Sequence, residues 1–321
     1  MAICTRNRAA LLTKTLQRVL AQFTDDVEVL IVDNDSTDGT PELIRKFAAS
    51  CPQLKVHKEV RIGGTVARNA AISKASGRFV LFMDDDSVPD AGWLETYRRF
   101  LKSSSPQVAV VAGGHFPEYE SAPPRWLASK RNTFDLGSSP FRLAHGGSTP
   151  ECNCAYLRSA VIKAGLFDER LGHTQKRSGF GEGADLNLRL QNAGYEIWWL
   201  PGAVVRDFFP AGRVNLKYIL RSAFNYGRSG TIRHLKSRPN LFSNFVFRCT
   251  RLLIFPFQGG INLLGAMFLW PFKHGQLAVR FLERAVRVTG IAWEALWFRS
   301  GADANLQSGP AQIRSNAGNF K

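Results

Sequence analysis

The chain has 321 residues, 45% of them hydrophobic, so it can bury a substantial core and global disorder is excluded. Its formal net charge of +16 is unevenly placed: residues 206–321 hold 17 Lys/Arg against 4 Asp/Glu, whereas residues 1–205 hold 25 against 22. Five irregularly spaced cysteines (Cys4, Cys51, Cys152, Cys154, Cys249) exclude a disulfide framework, and the lack of a second close pair excludes a structural zinc site.

In chain order, residues 2–5 read as a strand, and Thr5, Arg6, Asn7 and Arg8 then interrupt the N-terminus before a signal-peptide core could form. Residues 9–22 have helical spacing through Leu12, Leu16, Val19 and Leu20. Residues 27–32 are a continuous apolar run, as in a strand buried on both faces. A helix at 40–49 with Pro41 in its first turn, a short strand at 55–57, a helix at 64–73, a buried strand at 79–83, a helix at 93–101 and a strand at 108–112 follow. This alternation predicts an α/β fold with a mostly parallel central sheet flanked by helices, and a site at the carboxyl ends of its strands. Residues 113–150, rich in Gly, Pro and Ser, read as a long functional surface loop. Order returns as a strand-helix or helix at 155–164, a helix at 184–193 and a strand at 196–200. Beyond residue 206 the character changes to a basic, apolar helical region spanning 207–300, and the polar tail at 301–321 reads as disordered.

Four segments carry chemistry. FMDDDSVPD at 82–90 places Asp84, Asp85 and Asp86 at the end of a buried strand, where three like charges need neutralisation. A hard divalent cation, Mn²⁺ or Mg²⁺, supplies it and suits a phosphate-bearing substrate. VLIVDNDSTDGT at 29–40 delivers Asp33, Asn34 and Asp35 into a turn, as acceptors for the N–H and O–H groups of a base or ribose. RIGGTVARNAA at 61–71 joins a glycine turn to a helix bearing Arg68, a phosphate partner. GFGEGADLNLRL at 179–190 opens a helix with Glu182 and Asp185, carboxylates placed to act as a general base.

Together, CTRNR at 4–8, VDNDSTDG at 32–39, ARNAAI at 67–72, DDD at 84–86 and GEGADLNLRLQNAGYEIWWLP at 181–201 resemble a family 2 glycosyltransferase over residues 2–206. CNCAYLRSAVIKAGLFDERLG at 152–172 is similar to the family segment leading to the acceptor side. The resemblance implies a single catalytic domain over 1–206 with the A-type glycosyltransferase fold, a nucleotide-diphosphate sugar donor and inversion at the anomeric carbon. It implies nucleotide contacts from Thr5, Asp33, Asn34, Asp35, Arg68 and Asp84. It makes Asp84 and Asp86 the DxD pair, with Asp86 the preferred metal ligand. In the family the base is usually the Asp of a Glu-Asp pair at the start of the late helix. Gly183 stands at that place, which leaves Asp185, favoured because one turn brings it to the same face, or Glu182.

Residues 252–272 carry no charge across 21 positions, close to the length of a membrane span. Pro256, Gly259, Gly260, Gly265 and Pro271 interrupt them, which favours a re-entrant or interfacial segment over a straight crossing. Residues 276–299 are amphipathic, with Arg280, Arg284 and Arg287 on one face, as in a helix lying on an anionic membrane surface. The basic half lacks any nucleic-acid-binding signature, so no nucleic acid partner is expected. The expected acceptor is a sugar or lipid-linked sugar, and the expected location is the cytoplasmic face of the cell membrane, in polysaccharide or glycolipid assembly. A nucleotidyltransferase is the first alternative, but CTRNRAA lacks the glycine-rich loop such enzymes carry after the first strand. A non-catalytic sugar-nucleotide-binding or membrane partner is the second, resting on Gly183.

Overall fold

A computed structural model of the chain describes residues 1–24, 26–127, 133–172, 181–237, 241–269 and 275–297. The elements run β1 (Ala2–Thr5), α1 (Ala9–Leu20), β2 (Val29–Asp33), α2 (Thr40–Ser50), β3 (Leu54–Lys58), α3 (Gly64–Lys74), β4 (Phe79–Asp84), β5 (Ser87–Pro89) and α4 (Trp93–Ser103). They continue with β6 (Val108–Tyr119), β7 (Phe141–Arg142), β8 (Asn153–Leu157), α5 (Arg158–Lys163), α6 (Glu182–Asn192), β9 (Glu196–Phe209), α7 (Leu216–Ser237), α8 (Leu241–Leu269) and α9 (Gly275–Trp297). The expected tail at 301–321 lies outside the described residues.

The strands form one nine-stranded sheet in the order β3-β2-β1-β4-β8-β6-β9-β5, with β7 added on β9. The α/β layering matches the sequence reading. The first four strands in that order are parallel, as their helical crossovers require, and β6 runs parallel to β9. The sheet as a whole is mixed, because β8 enters from a loop rather than a crossover and lies antiparallel between β4 and β6. The pleat divides the core in two. Ala2, Leu30, Phe82, Tyr156 and Leu186 pack on one face, while Ile3, Ile31, Met83, Leu12, Leu16 and Trp93 pack on the other.

Residues 113–150 depart from the loop expectation. β6 continues through Tyr119, pairing residue by residue with Val204–Phe209 of β9 beyond a register shift at Gly113/Gly114. The glycines permit this: a Cβ on Gly113 would lie 2.0 Å from the Ala203 carbonyl oxygen. Asn153 pins the shift. Its amide donates to the carbonyls of Gly114 (2.8 Å) and Ala203 (2.7 Å), and its Oδ1 accepts from Trp93 Nε1 (2.8 Å). The Tyr97 hydroxyl donates to the same residue, 2.9 Å from its carbonyl oxygen and 3.0 Å from Oδ1. β9 correspondingly runs nine residues beyond the expected strand end at Leu200, and this extension carries Asp207.

The three C-terminal helices pack on one another. Gly227 and Gly290 let α7 and α9 approach until a Cβ on either would fall 2.1 Å from the Arg287 or the Phe224 carbonyl oxygen, respectively. α8 remains a continuous 29-residue helix through Pro256 and the glycines that were expected to break it. Within Phe242–Leu269 its most apolar 18-residue window has a mean hydropathy of 1.7 and only 6% of it is buried, so the helix is long and apolar enough to cross a membrane. Phe245, Leu253, Phe257, Ile261, Leu264 and Met267 are exposed along it.

Candidate active site

The carboxyl ends of β1, β2 and β4 lie side by side, with Thr5 opposite Asp33 and Cys4 opposite Asp84. The three consecutive aspartates that end β4 are each met by an arginine. Arg68 Nη2 lies 3.3 Å from Asp84, Arg8 Nη1 lies 2.9 Å from Asp85 and 2.6 Å from Asp86, and Arg213 lies 3.3 Å from Asp86. Thr5 Oγ1 donates to Asp85 at 2.7 Å, and Thr15 Oγ1 lies within 3.0 Å of the carbonyls of Asp85 and Ser87, fixing the turn. Burial pushes the Asp85 carboxyl up to about 6 against the pull of Arg8, with Asp86 adding to the rise. Arg8 thus bridges Asp85 and Asp86, and Asp85 is further held by Thr5.

The aspartate turn also meets a residue the sequence reading missed. Carboxylate oxygens of Asp84, Asp86 and Asp207 all lie within 4.8 Å of one another. Asp207 comes from β9, opposite Ser87 of β5, and accepts a hydrogen bond from the Ser87 hydroxyl. The long-range antiparallel pairing of β5 with β9 joins it to the aspartate turn. Unlike Asp33 and Asp84, which end their strands, Asp207 lies inside β9 between Arg206 and Phe208 and carries no such local signal. Three hard oxygen donors fit Mg²⁺ or Mn²⁺. His115 and Cys152 also approach Asp207. Burial raises the Cys152 thiol well above its usual range, which favours its protonated form. Burial opposes protonation of His115, but the 2.7 Å contact with Asp207 outweighs it and holds the imidazole toward its charged form.

Arg68 joins the aspartate turn to α6. Its guanidinium lies 2.9 Å from the buried Glu182 and 3.3 Å from Asp84. Burial disfavours its charge, but Asp84, Glu182 and Glu151 more than offset this and hold its pKa above the usual arginine value. α6 starts at Glu182 after Gly181 in the left-handed conformation (φ 94°). The N–H of Gly183 donates to Glu151 Oε1 at 3.0 Å. Asp185 is held elsewhere: it pairs with Arg189 at 2.9 Å, and the same guanidinium donates to the carbonyls of Ala164 and Leu166 behind α5. Thus Glu182 meets Arg68, which also pairs with Asp84, whereas Asp185 pairs with Arg189 beside α5. Residues 179–180 lie outside the described residues.

The remaining sequence-selected residues stand at and just beyond the carboxyl end of β2. Asp33 accepts from the Ser36 N–H at 3.0 Å. Asn34 accepts from the Gly63 N–H (2.8 Å) and donates to the carbonyls of Glu59 (3.0 Å) and Arg61 (2.8 Å), tying the β2 turn to the glycine loop before α3. Asp35 adopts φ 56° and pairs with Lys58 at 3.2 Å.

A cavity of about 990 Å³ opens from Arg68, Asp84, Glu151 and Glu182 towards Tyr226 and Arg233 of α7, with Arg287 of α9 at its far wall. A groove of about 1200 Å³ at the opposite edge, by Met1, Glu28 and Arg98, lies at the amino ends of the strands, away from every acidic cluster above. In α/β sheets ligands bind at the carboxyl ends, so the first cavity is the candidate site.

Comparison with known proteins identifies the family and the fold. Residues 1–165 match the family model described as Glycosyl transferase family 2. The succinoglycan biosynthesis protein ExoM of Rhizobium meliloti is 27% identical over 237 residues, covering 71% of this chain and 72% of ExoM. The glycosyltransferase AglE of Haloferax volcanii is 37% identical over 92 residues, covering 28% of this chain and 30% of AglE, so with that relative only a fraction of either length is shared. Among solved structures, the mannosyltransferase PcManGT of Pyrobaculum calidifontis, in complex with GDP-Man and Mn²⁺, superposes with a TM-score of 0.55 at 19% identity, covering 95% of this chain and 77% of that one. This likeness establishes the fold.

Proposed function

Because the chain belongs to glycosyl transferase family 2, we propose that it moves a sugar, with inversion, from a nucleotide-diphosphate donor to an acceptor hydroxyl presented at a membrane. The observation that carries this reading is the convergence of Asp84, Asp86 and Asp207 with the Arg68–Glu182 pair at the mouth of the 990 Å³ cavity. Asp84, Asp86 and Asp207 would hold Mn²⁺ or Mg²⁺, which when bound offsets negative charge on the diphosphate. PcManGT, with GDP-Man and Mn²⁺, supports the pairing of donor class and cation. Arg68, fixed between two carboxylates, supplies a cationic contact to the departing diphosphate. Thr5, Asp33, Asn34 and Asp35, at the carboxyl ends of β1 and β2, would stand on the nucleoside side of the donor. A carboxylate near the start of α6 takes the proton of the acceptor hydroxyl as that oxygen attacks the anomeric carbon from the face opposite the diphosphate.

The acceptor is a lipid-linked sugar on this reading. The cavity's outer wall is built by α7 and α9, which pack with the exposed apolar helix α8. Arg280 and Arg284 are exposed on α9 and suit anionic head groups. The relation to ExoM favours polysaccharide assembly as the setting, at the cytoplasmic face of the cell membrane. Thermal-shift titration with UDP-, GDP- and dTDP-sugars, with and without Mn²⁺, tests the donor site. A metal-dependent rise that Asp86→Ala abolishes is expected. A folded protein that responds to none of these donors would sink the reading.

A further inference from the structure

We propose that Glu151 is the proton acceptor for the attacking hydroxyl, its carboxyl seated in the notch that Gly183 leaves open at the start of α6. The assignment rests on the transferase reading above and names a residue on a different element from either carboxylate selected in the sequence.

The notch is specific. A Cβ built on Gly183 would lie 2.3 Å from Glu151 Oε1, 2.4 Å from Cγ and 2.7 Å from Cδ. Glu151 therefore fills the volume that any side chain at 183 would need, and the two positions exclude one another. The Gly183 N–H fixes Oε1 at 3.0 Å. It belongs to the first turn of α6, where exposed N–H groups favour a negative charge. Glu151 lines the cavity together with Arg68, Asp84 and Glu182, so its carboxyl is next to the groups that bind diphosphate on this reading.

The other carboxylates are committed. Glu182 is buried against Arg68 at 2.9 Å, and Asp185 is paired with Arg189, itself bound to the carbonyls of Ala164 and Leu166. Asp84 faces Arg68 and the metal triad. The electrostatics of Glu151 suit a base: burial first, then the neighbouring Glu182, push its carboxyl up to about 7, with Arg68 opposing.

The step balances. The acceptor oxygen forms a bond to the anomeric carbon, and the bond from that carbon to the diphosphate oxygen breaks. Its electron pair leaves with the nucleoside diphosphate, and the hydroxyl proton passes to Glu151.

The experiment compares wild type, Glu151→Gln, Gly183→Asp and the double variant Glu151→Ala/Gly183→Asp. Donor binding is read by thermal shift with Mn²⁺ across UDP-, GDP- and dTDP-hexoses, and turnover by release of nucleoside diphosphate. Glu151→Gln should bind donor as wild type does and lose about 10²-fold or more in kcat, the usual contribution of a positioned base. Gly183→Asp alone should be poorly folded or inactive, since its side chain collides with Glu151. The double variant should recover at least tenfold over Glu151→Gln, because the new carboxylate enters the vacated notch, and a purely structural Glu151 would give no such recovery. Turnover of Glu151→Gln within threefold of wild type, or a double variant that binds donor without recovery, overturns the assignment and leaves the transferase reading standing. Failure of wild type to bind any donor overturns the reading beneath it.

Discussion

Arg68 organises the site at the scale of single residues. One guanidinium holds Asp84 at the end of β4 and Glu182 at the start of α6, two groups 98 positions apart in the sequence. The sequence marked all three, because acids closing apolar runs and an arginine one turn after a glycine pair are local patterns. It could not mark Glu151, which sits in an unpatterned stretch and gains meaning only from the missing Cβ at Gly183. Asp207 was out of reach for a related reason, since its neighbours in space come from β4 and β5. The Glu151 carboxyl faces Glu182 from α6 and Arg68 from α3, with Asp84 and Arg233 also on the cavity wall. Because burial and Glu182 raise it to about 7, the deprotonated, proton-accepting form accumulates only as pH rises through that value. We therefore expect kcat to climb about tenfold between pH 6 and pH 8. A flat profile over that range would mean that another group accepts the proton.

The β6–β9 pair decides at the scale of elements where Asp207, the third carboxylate of the aspartate cluster, stands. The strand–helix alternation of residues 1–112 was legible because continuous apolar runs and 3.6-residue periodicity are local signals. The continuation of β6 was not, because Gly113 and Gly114 look like the start of a loop. They mark instead a register shift held open by the side chain of a distant asparagine. Asn153→Leu would leave the Gly114 and Ala203 carbonyls and the Trp93 N–H without partners in a buried site. Each unpaired group costs about 1–3 kcal/mol, so a loss of roughly 3 kcal/mol or more is expected in urea unfolding. Because β9 beyond the shift carries Asp207, the same variant should weaken Mn²⁺-dependent donor binding under conditions where it remains folded. Donor binding unchanged from wild type would show that β9 does not need the asparagine to place Asp207.

The charge asymmetry at the scale of the whole molecule follows the division of labour. The near-neutral first part builds the sheet, and the basic part supplies three helices that close the cavity and display an apolar face. Continuity of α8 was not legible, since Pro256 and the glycines read as interruptions, whereas packing on α9 holds the helix together. Gly265 lies against Phe281, where a Cβ would come within 2.8 Å of the ring. If apolar burial holds the protein on lipid, flotation with phosphatidylglycerol vesicles should persist at 1 M salt, where the Debye length shrinks to about 3 Å. A Leu253→Asn/Phe257→Asn/Leu264→Asn variant should float at low salt through α9 and be released at high salt. Equal release of both proteins would assign the attachment to charge alone.

The cavity has one wall on the sheet and the other on helices α7 and α9. On the proposed function those helices sit at the membrane, so the donor would come from three-dimensional solution while the acceptor would be confined to a plane. For the second substrate the relevant quantity is then its number per unit area of bilayer. Turnover measured in detergent should follow the mole fraction of acceptor in the micelle at fixed bulk concentration, as expected of an enzyme that searches a surface.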